Sequence, residues 1–277
     1  LLLSGLVIKF EDLEKHLAHK KYVPFIGDLI ASRWAYEALA VEQFKNNPYQ
    51  RHFFYAEMAK SDAAWYASFL LPELKKTLNL VELDVKKNRV GDETKDDLEM
   101  IRGELHKMHL MTGIKPYEGM ELLNEKTFDT LQTKRLNSYL LFAQQWFNRK
   151  MSEAGRRADS IYTSLVKEMG KEALIELKKK NHNQALSDML LNRQEMVKIQ
   201  REGNELLRKK DPVYTVPDKK NGRAHLYAPV KRLGNYSIPT FWFNNFVLWL
   251  MCLVLFICLY GDVIRKLLSV KPARKEE

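Results

Sequence analysis

From Arg51 to Lys210 apolar residues recur every three or four positions, with charged residues between them. That spacing gathers the apolar side chains on one face of a helix. It predicts a helix from about His52 to Asn88, bent at Pro72, because proline lacks the N–H and crowds the preceding turn. A second helix is expected from about Glu93 to Met111, broken by Gly113 and Pro116. A long third one, from about Thr127 to Met169, carries Trp146, Ala154, Ala158, Ile161 and Leu165 at helical spacing. After Gly170 a further helical stretch leads to Leu207, with Leu186, Leu190 and Val197 inward. Runs of alternating β-branched residues, the mark of strands, are nearly absent. The expected core includes Trp65, Phe69, Leu140, Trp146, Ile161, Leu165, Leu186 and Leu190. The fold class is therefore all-α, with an antiparallel helical bundle over 48–211.

The flanks follow other patterns. Residues 22–31 are apolar but interrupted by Pro24 and Gly27, too short to span a bilayer, and read as an interfacial or re-entrant piece. Ser32 is placed to N-cap a helix to about Lys45, ended by Asn46-Asn47-Pro48. Residues 212–238 hold Pro212, Pro217, Gly222, Pro229 and Gly234 and read as an extended return linker. Then nothing from Leu233 to Gly261 is charged. A helix from Pro239 to Gly261 would measure roughly 34 Å, enough for a hydrocarbon core of about 30 Å. Trp242, Trp249 and Tyr260 are its expected interfacial anchors, and Arg265 and Lys266 its basic exit. The chain thus divides into 1–47 (the end of a membrane helix and re-entrant helices), 48–211, 212–238, 239–270 and a tail, 271–277.

Charge sets the orientation. Arg265, Lys266, Lys271, Arg274 and Lys275 follow the span, against Lys231 and Arg232 before it. The positive-inside rule puts the C-terminus in the cytoplasm and the bulk of the chain outside, which in a bacterium is the periplasm, with the span in the inner membrane. The net charge of +10 is spread among acidic residues along helices, so it suits solvated faces and anionic lipid headgroups rather than nucleic acid. Cys252 and Cys258 both lie in the apolar run on different helix faces, so they do not pair within it. The opening Leu1-Leu2-Leu3-Ser4-Gly5 lacks a methionine and a charged leader, as expected of a chain emerging from an earlier membrane helix.

Motifs for chemistry are wanting. His106 and His109 stand three apart on one helix, but Gly103 occupies the place where a Glu-x-x-His metal pattern needs glutamate. There is no phosphate loop, dinucleotide fingerprint or nucleophile elbow. No residue is assigned a catalytic, cofactor-binding or metal role. Phe53, Phe54, Tyr55, Trp65, Tyr66 and Phe69 read as core rather than a binding groove. Asn235-Tyr236-Ser237 is a formal glycosylation sequon that reads as chance.

Two segments carry a family resemblance. The first is LLLSGLVIKF followed by VPFIGDLIASRWAYEALAVEQFKNN; the second is FWFNNFVLWLMCLVLFICLYGDVIRKLL. Together they resemble permeases of the ABC transporter subfamily G type, the white and pleiotropic-drug-resistance group. There a membrane helix leaves through a small Ser-Gly turn, and short re-entrant helices end in Ser-Arg-aromatic, Glu-Ala-Leu and polar-Phe steps, here Ser32-Arg33-Trp34, Glu37-Ala38-Leu39 and Gln43-Phe44. The resemblance covers about 1–47 and 238–270. The roughly 190 residues between them exceed the usual loop and resemble the enlarged versions of bacterial, Bacteroidota-like members. It implies an ATP-driven exporter working as a homodimer, with ATP and Mg held by a nucleotide-binding domain on the same or another chain. Arg33, Trp34, Glu37 and Phe44 would form the outer gate, and the helical insert would meet its own periplasmic partner. Two other readings stand beside it: a singly anchored periplasmic helical scaffold or adaptor of a membrane complex, and an enzyme with a bundle-held metal.

Overall fold

The computed structural model describes residues 21–261. The expected N-terminal membrane-helix end, the basic exit with Arg265 and Lys266, and the tail lie outside the described residues. The chain is mostly helical, 67%, so helix packing rather than sheet formation organises it. The described residues divide into two compact units, one of residues 21–43 with 217–261 and one of Phe44–Val216.

In the second unit α3 (Gln50–Trp65) and α4 (Leu71–Lys86) form one continuous helix, joined by a π-helical turn at Tyr66–Leu70. The expected disturbance at Pro72 takes this form. Proline cannot donate to the carbonyl four residues back. The widened turn absorbs the defect, and the Leu71 N–H reaches back five residues to Tyr66 O. Ala67 O, inside that turn, accepts from Gln144 Nε2 at 3.2 Å. The α5 helix (Asp92–Thr112) has acidic residues in its first turn and ends at Gly113, whose φ of 70° makes a left-handed cap. The 40-residue α6 (Thr130–Met169) starts at Asp129, whose carboxylate accepts the Gln132 N–H. It runs antiparallel to α3: Tyr66 stacks on Phe147 at one end, and Phe53 packs with Leu165 at the other. Leu74, Leu78, Val81, Ile101, Met108 and Leu136 fill the core.

The expected core needs a one-residue correction. Trp65, Leu140, Leu165 and Leu190 are buried, but Phe147, not Trp146, points inward on α6. Trp146 lies across its edge, half exposed. Phe69, Ile161 and Leu186 are half-buried, and Val197 is exposed.

The helical stretch expected after Gly170 is also corrected. It breaks into α7 (Lys171–Asn181) and α8 (Gln184–Leu190) and then becomes a hairpin, β1 (Ile199–Glu202) with β2 (Glu205–Arg208). Asn192 at φ 47° ends the helical path, and Gly203 at φ 56° makes the hairpin turn. Buried Glu104 of α5 accepts the Leu206 N–H at 2.9 Å and holds the hairpin to the bundle.

The first unit contains α1 (Phe25–Asp28), α2 (Ala31–Lys45, whose last two residues belong to the second unit), a hairpin of β3 (Val230–Leu233) with β4 (Tyr236–Pro239), and α9 (Thr240–Tyr260). Ser32 lies inside α2 rather than capping it, since the helix already begins at Ala31. The expected linker over 212–238 is not extended throughout. It opens with a 3-10 turn at Pro212–Tyr214, and its second half is the β3–β4 hairpin, which feeds straight into α9. Among the described residues α9 alone is long and apolar enough to cross a membrane, with a mean hydropathy of 2.1.

Candidate functional site

The most concentrated polar chemistry lies at the first turns of the apolar helix, inside the first unit. Helical spacing sets Arg33 and Glu37 on one face of α2. Arg33 Nη1 donates to Glu37 Oε2 at 2.9 Å, its Nη2 to Asp28, and its Nε to Gly27 O at 3.3 Å. The same guanidinium lies 3.5 Å from the centre of the Trp34 ring, a cation–π contact. Trp34 Nε1 donates to Asp28 O at 2.8 Å, which pins the α1–α2 corner.

Glu37 is the hub. Its Oε1 accepts Lys231 Nζ at 2.6 Å and the Tyr227 N–H at 3.2 Å. Its Oε2 accepts Asn244 Nδ2 at 3.0 Å beside Arg33. Asn244 also donates to Trp34 O at 3.1 Å. Tyr227 adopts φ 67°, an unfavourable left-handed setting that turns its N–H toward the carboxylate. Glu37 and Asn244 are 0% exposed, and Arg33 and Lys231 1%.

Burial of this kind is costly unless each charge is matched. It would raise the Glu37 carboxyl, yet the charges of Lys231 and Arg33 outweigh it and hold that carboxyl below its ordinary value. Burial pulls the Lys231 ammonium below its ordinary value, with Glu37 opposing. At the margin, burial raises Asp28 against the opposing charges of Arg33 and Arg223. Glu37 is therefore ionised with four donors on its two oxygens. It has no lone pair to spare for a proton or a nucleophile's hydrogen. The arrangement is a clamp joining α2, the β3 strand and α9. Among the described residues no group of three or more His, Cys, Asp or Glu is poised for a metal.

Of the residues expected at an outer gate, Arg33, Trp34 and Glu37 meet here. Phe44 does not. It lies in the second unit, buried between Phe54 and Tyr214 at ring distances of 6.3 and 5.9 Å. Trp242, Trp249 and Tyr260 are exposed along α9, and Arg265 and Lys266 fall outside the described residues.

Sequence reasoning missed Lys231, Asn244, Tyr227 and Asp28. A signal existed for Asn244: an amide in an otherwise apolar span is costly and implies a partner. Lys231 gave none, because a lysine in a proline- and glycine-bearing segment reads as solvated.

No protein-family model matches the chain, and no curated protein or solved structure matches it.

Proposed function

We propose that this chain is the membrane-permease portion of an ATP-driven exporter of the ABC subfamily G type. It supplies the outer gate, an extracytoplasmic helical domain and the last membrane helix. One observation carries the reading. The two segments that resemble that family are far apart in sequence, yet Asn244 of the second bonds directly to Glu37 of the first. The residues between them form largely a unit of their own, Phe44–Val216, as an insertion into such a permease would. In this reading the chain lies in a bacterial inner membrane with its C-terminus cytoplasmic and works as a homodimer. Nucleotide hydrolysis belongs to a domain on the same or another chain, which would hold the ATP and Mg.

The scaffold or adaptor reading draws on a different observation: α9 is the one candidate span among the described residues. Isolating the intact protein from its native membrane and photolabelling it with an azido-ATP separates the two. Labelling of the polypeptide, or of a stoichiometric partner, is expected. Its absence leaves the adaptor. If export is then reconstituted in vesicles, Arg33→Ala should uncouple ATP turnover from export while leaving assembly intact. Wild-type export by that variant would remove the gate role from this cluster.

A further inference from the structure

Between Pro217 and Pro239 stand five cations, Lys219, Lys220, Arg223, Lys231 and Arg232, and one carboxylate, Asp218. Two of these charges are already answered. Lys231 is buried on Glu37, and Asp218 meets Lys21 at 2.9 Å. Of the other four, Lys219, Lys220 and Arg232 face neutral groups, and Arg223 reaches a carboxylate only at long range. Lys219 Nζ sits 4.3 Å over the Tyr22 ring, and Lys220 Nζ donates to Asn235 Oδ1 at 3.3 Å. Arg223 Nη2 donates to Val23 O at 2.9 Å, and Arg232 Nη1 to Pro217 O at 3.3 Å. Arg223 Nε also lies 4.0 Å from Asp28, a carboxylate it shares with Arg33.

These cations are held in place beside the apolar helix. The Gly222 N–H donates to Arg232 O and the Gly234 N–H to Lys220 O, each at 2.7 Å, so the loop is stapled to the edge of β3. Gly222 has φ 82°, and a Cβ there would come within 2.9 Å of the Phe243 ring. Only glycine lets the loop lie this close to the first turn of α9. Trp242, on that same turn, is exposed, as an interfacial aromatic would be.

We propose that Lys219, Lys220, Arg223 and Arg232 form a binding surface for anionic phospholipid headgroups around the N-terminal end of α9. The proposal rests on α9 crossing a bilayer and holds for either orientation of the span. Phosphate oxygens would supply the anionic partner that Lys219, Lys220 and Arg232 lack among the described residues, and a second one for Arg223.

The test uses the full chain in nanodiscs of phosphatidylcholine containing a minor share of phosphatidylglycerol. After gentle extraction, native mass spectrometry counts the lipids retained. Wild type is expected to keep phosphatidylglycerol in preference to phosphatidylcholine. The Lys219→Gln/Lys220→Gln/Arg232→Gln variant should lower that preference by about tenfold or more, with an unchanged melting midpoint in pure phosphatidylcholine. Ser237→Lys, at an exposed position opposite Arg232 in the hairpin, should raise it. Equal retention of the two lipids by wild type overturns the proposal, as does a preference untouched by both variants. Displacement of the lipid by millimolar inorganic phosphate also overturns it, since the site would then take the free anion. Extraction of the chain from membranes by alkaline carbonate would instead defeat the spanning reading of α9.

Discussion

Asn244 on the apolar helix donates its amide to Glu37, 207 positions earlier in the chain, at 3.0 Å. Its own Oδ1 has no partner among the described residues. The helix is thus fastened by a donor whose acceptor half is unsatisfied, to a carboxylate that keeps three other donors if the amide leaves. Thr240, the other buried residue of α9, adds a hydroxyl bond to Ala228 O. The grip on α9 is confined to its first turns, and the remaining length is almost bare.

The ion cluster should behave as one coupled unit. Glu37→Leu leaves Arg33 and Lys231 buried beside a vanished charge, at a cost of about 3–5 kcal/mol. Adding Lys231→Met removes one stranded cation, while Arg33 keeps Asp28, so the double variant should be more stable than Glu37→Leu alone. Unfolding of the full chain in detergent compares wild type, Glu37→Leu, Lys231→Met and the double variant. Purely additive losses would mean that the charges do not depend on one another.

Acid should loosen the clamp. The folded value of Glu37 lies below its unfolded value of about 4.3, so its stabilisation is complete above that pH and is lost as pH falls below it. Asp28 is raised and works in the opposite sense: its contribution is present at low pH and fades as pH rises. Lys231 is depressed and penalises folding at neutral pH, a penalty relieved as pH climbs toward about 10.4. The Glu37 part is isolated as the difference between wild type and Glu37→Gln. The two melting midpoints should converge as pH falls below about 4.3. Parallel curves would show that Glu37 carries no such linkage.

In the helical unit, Phe147→Ala should destabilise by about 3–5 kcal/mol, because the ring is enclosed and stacked on Tyr66. Trp146→Ala should cost clearly less, since that ring is half exposed. Far-UV circular dichroism against denaturant compares them. The reverse order would place the core on the other face of α6.

Topology is open to direct assay. Protease added to the extracytoplasmic side should cut within 45–235 and leave the segment after Gly261 protected. A cysteine placed at position 275 should resist labelling from that side. Labelling there would reverse the orientation inferred from the basic residues that follow the span.

The periodicity of apolar residues determined α3 to α6 to within a few positions, because a buried stripe every three or four residues admits one regular solution. The long uncharged run did the same for α9. The two hairpins escaped notice since each strand is only four residues long and three of the four strands carry two charges each. Their Gly203-Asn204 and Gly234-Asn235 turns were the legible sign. On α6 periodicity chose the wrong one of two aromatic neighbours, Trp146 instead of Phe147, because only packing decides which faces Tyr66. The i, i+4 relation of Arg33 and Glu37 could be read from spacing alone, as local geometry can. That Lys231, Asn244 and the Tyr227 N–H close around the same carboxylate could not. Those contacts join segments about 190 to 210 positions apart, and no local rule encodes which distant charge meets which. Phe44 stands apart from Arg33 and Glu37 for the same reason. It follows Glu37 by two turns of one helix, but the chain divides beneath it, and tertiary packing assigns it to another core.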